Sequence, residues 1–256
     1  MIMTLDIGNT QIFGGVFSDE KIILNFRKST RSGFSSDEIG IFLRQVLREN
    51  NIESELIKGI AVCSVVPDLV YSIRNGCIKY FNSDPFLLQP GIKTGLKIKY
   101  LNPAEVGADR IANSIAGIKL FPDKDIIIID FGTATTFDVV TKGKEYLGGA
   151  IMPGLKVSVE ALESKTAKLS AVELEIPLKA VGRTTKESIQ SGLIFGQVGA
   201  IKELLLRIKE EQFRESKPVV IGTGGFSHMF RDFGLFDEII PDLVLKGIYL
   251  AYHLNQ

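Results

Sequence analysis

A short apolar strand that ends in aspartate, with glycine two residues on and then hydroxyl or amide side chains, occurs twice in this chain. Asp6-Ile7-Gly8-Asn9-Thr10 closes one such strand, and Asp130-Phe131-Gly132-Thr133-Ala134-Thr135 closes the other. The pattern around each is the same. Apolar and β-branched runs at Ile2 to Ile7, Ile12 to Phe17 and Ile22 to Phe26 are separated by the turns Gly8-Asn9-Thr10 and Ser18-Asp19-Glu20, which reads as three strands. Ile39, Phe42, Leu43, Val46 and Leu47 then fall at helical spacing behind Ser36 as the expected cap. A strand from Gly59 to Ser64, a helix from Asp68 to Phe81, a short strand from Phe86 to Gln89 and a helix from Ala104 to Leu120 complete the first set. Strands over Asp125 to Asp130, Thr136 to Val140 and Tyr146 to Ile151 begin the second. A helix opened by Pro153, a long helix from Lys186 to Glu215, strands at Val219 to Ile221 and Phe236 to Ile240, and a closing helix from Asp242 to Leu254 follow. Two βββαβαβα halves imply a duplicated α/β fold. The expected halves are residues 1–121 and 122–256, divided near Phe121-Pro122-Asp123.

The chain's chemistry narrows its class. Thirty basic and thirty acidic side chains leave no excess charge for a nucleic-acid backbone, so no nucleic-acid partner is expected. No apolar run approaches the ~18 residues of a membrane span, and Met1 to Asp6 lacks the basic flank of a signal peptide. A cytoplasmic protein with no membrane partner is expected. Cys63 and Cys77 read as small buried hydrophobes, and His228 and His253 are too far apart in sequence to suggest a zinc site.

The Asp-x-Gly turns suit a nucleotide. Glycine permits a tight turn and close backbone approach to phosphate oxygens, and exposed N–H groups with Asn or Thr side chains can donate to them. The carboxylate would repel phosphate unless a cation stood between the two. A third turn, Gly222-Thr223-Gly224-Gly225, would let a flat base or ribose approach the backbone. Each turn alone could be an ordinary hairpin turn. Two at matching places in matching halves argue against coincidence. Neither a Walker A motif nor a G-x-G-x-x-G at a strand-to-helix junction is present, so a nucleotide would sit in a cleft between the halves.

These motifs resemble the acetate and sugar kinase/heat-shock 70/actin superfamily, and its actin-like ATPase (ribonuclease H-like) fold is the one expected. Within that superfamily, Asn102-Pro103-Ala104-Glu105-Val106-Gly107-Ala108-Asp109-Arg110-Ile111-Ala112-Asn113 resembles the substrate motif of type III pantothenate kinases. Leu147-Gly148-Gly149-Ala150-Ile151-Met152-Pro153-Gly154, Thr166-Ala167-Lys168-Leu169 and the turn from Gly182 to Thr185 are similar to the same family. The likeness runs in order through essentially the whole chain. It implies ATP-dependent phosphorylation of pantothenate to 4'-phosphopantothenate, the first step of coenzyme A biosynthesis.

The resemblance also implies roles. Asp109 would be the general base, and Gly107, Ala108, Asp109 and Arg110, with Tyr100 and Thr185, would contact pantothenate. Asp6, Ile7, Gly8, Asn9, Thr10, Gln11, Ile12, Phe13 and Thr133 would bind ATP, with Asp6 near its magnesium. Asp130 would ligate a monovalent cation, K⁺ or NH₄⁺. The family works as a homodimer with the substrate site at the subunit contact. The chemistry is coherent. A guanidinium grips a carboxylate in a two-pronged geometry, and a carboxylate can orient an acceptor hydroxyl. On residues alone, Asp109 could equally serve the helix dipole with Arg110 solvated. The apolar-faced helix around Ile189 to Leu206 could serve a dimer contact or a core. The chain departs from the family's pattern at Gln11, Ser170 and Thr184. Transcription accessory factors of the same family, and other kinases of the superfamily, are the rival readings.

Overall fold

The computed structural model describes residues 1–31, 33–165 and 172–256; the Thr166-Ala167-Lys168-Leu169 motif and Ser170 lie outside the described residues. Strands β1 (Ile2–Ile7), β2 (Gln11–Ser18), β3 (Lys21–Ser29), β4 (Gly59–Ser64) and β5 (Phe86–Leu88) form one sheet in the order β3-β2-β1-β4-β5. The hairpins are antiparallel and β4 and β5 join in parallel. A second sheet has the order β11-β10-β7-β8-β9-β6, from β6 (Lys97–Ile98), β7 (Ile126–Phe131), β8 (Ala134–Val140), β9 (Glu145–Pro153), β10 (Val219–Thr223) and β11 (Glu238–Ile239). Without β6 the two orders superimpose strand for strand, which is the duplication expected from the sequence. The α/β class with two mixed sheets is as expected.

The chain divides into two compact units, and neither is continuous. One comprises Met1–Leu96, Tyr100–Lys119 and Leu243–Gln256; the other comprises Lys97–Lys99 and Leu120–Asp242. Between Lys119 and Leu120 the chain passes from the first unit to the second. The closing helix α6 (Leu243–Leu254), read as part of the second half, packs instead on β1, β2, β4 and β5 of the first unit.

In the first unit, strand alternation separates two faces. Met3, Leu5, Ile7, Ile60 and Val62 form a core with helices α1 (Ser36–Glu49) and α2 (Pro67–Phe81) through Ile39, Leu43, Leu69 and Ile73. The alternate residues are small: Gly15, Gly59 and Ala61 admit α6. A Cβ on Gly15 would press on Leu245, and one on Gly59 would strike the Tyr252 ring. In the second unit, Ile127, Ile129, Phe137 and Val139 pack with Ile194, Val198, Ile201 and Leu205 of helix α5 (Thr185–Gln212). That face of α5 is therefore a core face.

Several expected boundaries move for local reasons. The cap of α1 is Ser35, one residue earlier than expected. Its hydroxyl accepts from Glu38 N at 3.2 Å while the Glu38 carboxylate accepts from Ser35 N at 2.8 Å. The helix expected from Ala104 is a 3-10 turn (Pro103–Glu105), a break at extended Val106, and then α3 (Ala108–Leu120). Pro153 ends β9 rather than opening a helix, and α4 runs from Leu155 to Lys165. Among the described residues, no helix is long and apolar enough to cross a membrane.

Candidate active site

In the first unit the site is built on one cross-strand row. Arg27 of β3 pairs with Phe13 of β2, Phe13 with Asp6 of β1, and Asp6 with Cys63 of β4. Directly paired residues share a face, so all four side chains belong to the α6-bearing side of the sheet. Helix α3 brings Asp109 to the same place. The Cys63 thiol is fully buried, and burial pushes its pKa well above the ordinary thiol range. The charges of Asp6 and Asp109 push it further, as does the hydrogen bond the thiol donates to the Asp6 carboxylate. One buried thiol therefore feels two of the three carboxylates for which chemistry is expected, Asp6 and Asp109.

Asp109 occupies the first turn of α3, as expected. Burial raises its pKa above the ordinary aspartate range. The Arg110 N–H donated to Asp109 Oδ1 at 2.8 Å and the Arg110 charge work against that rise without cancelling it. A carboxylate held in this way is a better proton acceptor than a solvated one. Gly107 has a structural reason to be glycine, because a Cβ there would come within 2.5 Å of Asp109 Oδ1. Arg110 is buried in the same helix turn, and Ala108 is half-buried beside it. Tyr100 belongs to this unit too and is half-buried.

The first turn is a four-residue loop, Gly8 to Gln11, closed by Gly8 N donating to Gln11 O at 3.0 Å. Asn9 and Gln11 are exposed and Thr10 is half-buried, whereas Ile7, Ile12 and Phe13 are buried. Sequence reasoning missed Thr30. Its hydroxyl donates to Gly8 O at 2.7 Å and its N–H to Thr10 O at 2.9 Å, so the end of β3 clamps the turn. A threonine just past a strand carries no signal that could have revealed this.

The second unit repeats the device with different parts. Its turn is one residue shorter, closed by Gly132 N donating to Ala134 O at 3.1 Å. The clamp comes from Gly154, just past β9, whose N–H donates to Thr133 O at 3.2 Å. A Cβ on Gly154 would overlap the carbonyls of Gly132 and Thr133. Thr133 is exposed and Asp130 half-buried. Gly224, at φ +85°, lies so close that a Cβ would collide with Asp130 Oδ1 and with Phe131 N at 2.7 Å. The glycine turn expected to admit a base or ribose is thus required, at Gly224, by Asp130 itself. Gly225 opens onto free space. Thr185 is exposed at the first residue of α5. Thr184, a departure from the family's pattern, caps that helix by accepting from Glu187 N at 3.2 Å. Cys77 is a buried thiol in α2, pushed up to about 12 by burial and then by the charge of Asp84, and it takes no part in the site.

Each unit can present backbone amides and hydroxyls to phosphate oxygens beside a carboxylate able to carry a cation. The structure is similar, at TM-score 0.51 and 14% identity, to the activator of the 2-hydroxyisocaproyl-CoA dehydratase from Clostridium difficile with bound ADPNP, covering 99% of this chain and 95% of that one. The fold is that of the actin-like ATPases. The family model described as type III pantothenate kinase matches residues 2–207. A type III pantothenate kinase of Legionella pneumophila (strain Corby) is 55% identical over 255 residues, covering 100% of this chain and 99% of the relative. One from Elusimicrobium minutum is 49% identical over 256 residues, covering 100% and 99%.

Proposed function

This chain belongs to the type III pantothenate kinase family, and on that premise we propose that Asp109 is the general base of phosphoryl transfer from ATP to pantothenate. The activity itself, an ATP-using phosphotransferase of coenzyme A biosynthesis, comes with the family at full length. The observation that supports the assignment of Asp109 is that its charge and that of Asp6 reach the same buried group. Both carboxylates act on the one buried thiol of Cys63, so the proposed base and the first phosphate turn belong to one corner of the first unit.

An alkyl hydroxyl is too weak an acid to be ionised beforehand. In a loose transfer the carboxylate orients the hydroxyl and takes its proton late, while positioning and charge neutralisation lower most of the barrier. Burial of Asp109 suits that role, since it favours proton acceptance. Arg110 and Tyr100, with Thr185, are the proposed pantothenate contacts, and the guanidinium matches the substrate's carboxylate. Residues 6–13 and Thr133 are the proposed ATP contacts. Asn9 and Thr10 offer side-chain donors, while Ile7, Ile12 and Phe13, being buried, can only shape the turn.

Asp6 would stand near magnesium and Asp130 would hold the monovalent cation, K⁺ or NH₄⁺. A single carboxylate fits each ion. Magnesium keeps waters and phosphate oxygens as its other ligands, and oxygen donors suit hard cations. When bound, these ions neutralise charge on the transferring group. A homodimer in the cytoplasm is the proposed setting. The side of α5 where Gly192, Gly196 and Gly199 leave open space is available to a second copy.

The test is formation of phosphopantothenate from ATP, Mg²⁺, K⁺ and pantothenate. Asp109→Asn should lower kcat by about 10²–10⁴ with ATP affinity nearly unchanged. Undiminished turnover in that variant would remove Asp109 from the mechanism.

A further inference from the structure

We propose that Arg27 is a phosphate-binding residue for the triphosphate of ATP, placed by the sheet itself beside the first phosphate turn. The proposal rests on the reading of residues 6–13 as an ATP site and adds a residue outside that segment.

Register supplies the first argument. Arg27 stands two strands from Asp6 in the same cross-strand row, so its side chain leaves the sheet on the face that carries Asp6 and Cys63. Packing supplies the second. The Arg27 guanidinium carbon lies 3.7 Å from the centre of the Phe13 ring, and Phe13 is the direct partner of Asp6. A cation seated on an aromatic face is held there instead of sweeping through solvent, and here that face belongs to the strand partner of Asp6. Arg27 Nη1 also donates to Gln11 Oε1 at 3.5 Å, a long contact with the last residue of the turn.

Charge supplies the third. A triphosphate is strongly anionic, and the turn places it near Asp6. A guanidinium presents paired donors that match phosphate oxygens and keeps its charge at any working pH. The neighbouring cation cannot substitute. Lys28 leaves on the opposite face, with its ammonium 5.0 Å from the Phe34 ring centre and 4.5 Å from that of Phe42. The second unit supplies an internal control. Its corresponding row runs Ile151, Thr136, Asp130, Thr223, so the position of Arg27 is taken by Ile151, which is 64% exposed. Nothing in the scaffold demands a cation there.

The test compares the unmutated chain with Arg27→Met, Arg27→Lys and Asn9→Ala by calorimetric titration with MgATP, MgADP, AMP and adenosine, and by steady-state kinetics. Arg27→Met should weaken MgATP binding about tenfold, the size of one lost charge-assisted contact. The loss should shrink as phosphates are removed and vanish for adenosine. KM for ATP should rise while KM for pantothenate stays put, and Arg27→Lys should fall between. Unchanged MgATP affinity, an equal loss for adenosine, or a rise confined to pantothenate would each overturn the proposal. If Asn9→Ala weakens MgATP and Arg27→Met does not, the turn remains a phosphate site and only Arg27 is excluded. If the unmutated chain binds adenosine as tightly as MgATP, the turn reading falls and takes the proposal with it. Should Arg27→Met fail to fold, as judged by its melting curve, Arg27→Gln carries the same expectation.

Discussion

The rows through Asp6 and Asp130 are the same scaffold used twice, yet their chemistry differs at every other position. Arg27, Phe13 and Cys63 around Asp6 correspond to Ile151, Thr136 and Thr223 around Asp130. Asp6 is hydrogen-bonded by a buried thiol and has a second carboxylate, Asp109, for company. The backbone of Gly224 is pressed against Asp130. Duplication preserved the strand end and the tight turn, while the paired row gained an arginine and a thiol beside Asp6 where Ile151 and Thr223 stand beside Asp130.

The comparison breaks first at the two aspartates. Asp6→Asn should reduce kcat/KM for MgATP by about 10² or more, the scale of removing a group that stabilises transition-state charge. Asp130→Asn should chiefly abolish the preference for K⁺ over Na⁺, measured as the rate ratio in the two salts. Equal losses of both kinds in both variants would erase the asymmetry. A smaller effect separates the glycines. Gly224→Ala must adopt φ +85° and displace Asp130, so it should destabilise by roughly 2–4 kcal/mol in denaturant unfolding. Gly8→Ala meets only Gln11 O at 3.1 Å and should cost less than about 1 kcal/mol. The smallest effect concerns the clamps. Thr30→Val loses one hydrogen bond to Gly8 O and should cost about 1 kcal/mol, seen as a lower unfolding midpoint.

The strands of the first sheet were legible because apolar runs bounded by turn residues mark them, and β1, β2 and β4 fall where those runs stand. The two-residue β6 was not, since so short a segment has no period to read. Helix α6 was recognisable as a helix but not as part of the first unit; a terminal amphipathic run carries no record of which sheet will bury it. Pro153 misled because proline suits both a helix start and a strand end, and the chain turns only after Gly154 has closed on Thr133. For the site, the Asp-x-Gly turns and Asp109 were visible as motifs. Cys63 read correctly as a buried hydrophobe, but its contact with Asp6 exists only through the register of β1 against β4. Arg27 and Thr30 were hidden for the same reason, because pairing across strands is not written in local sequence.

The central claim is that the half-buried Asp109 accepts the proton in the first unit, and the pH dependence of kcat addresses it most directly. Burial raises the folded-state pKa of Asp109, so its charged, accepting form should be lost as pH falls through a value above the ordinary 3.8. By the same sign, the charged carboxylate lowers stability above that pKa. Asp109→Asn should therefore be at least as stable as the unmutated chain at neutral pH, with the gain gone in acid. The account predicts an acidic limb in the profile of the unmutated chain, displaced upward from a solvated aspartate and absent from the residual activity of Asp109→Asn. A limb that persists unchanged in that variant would contradict it.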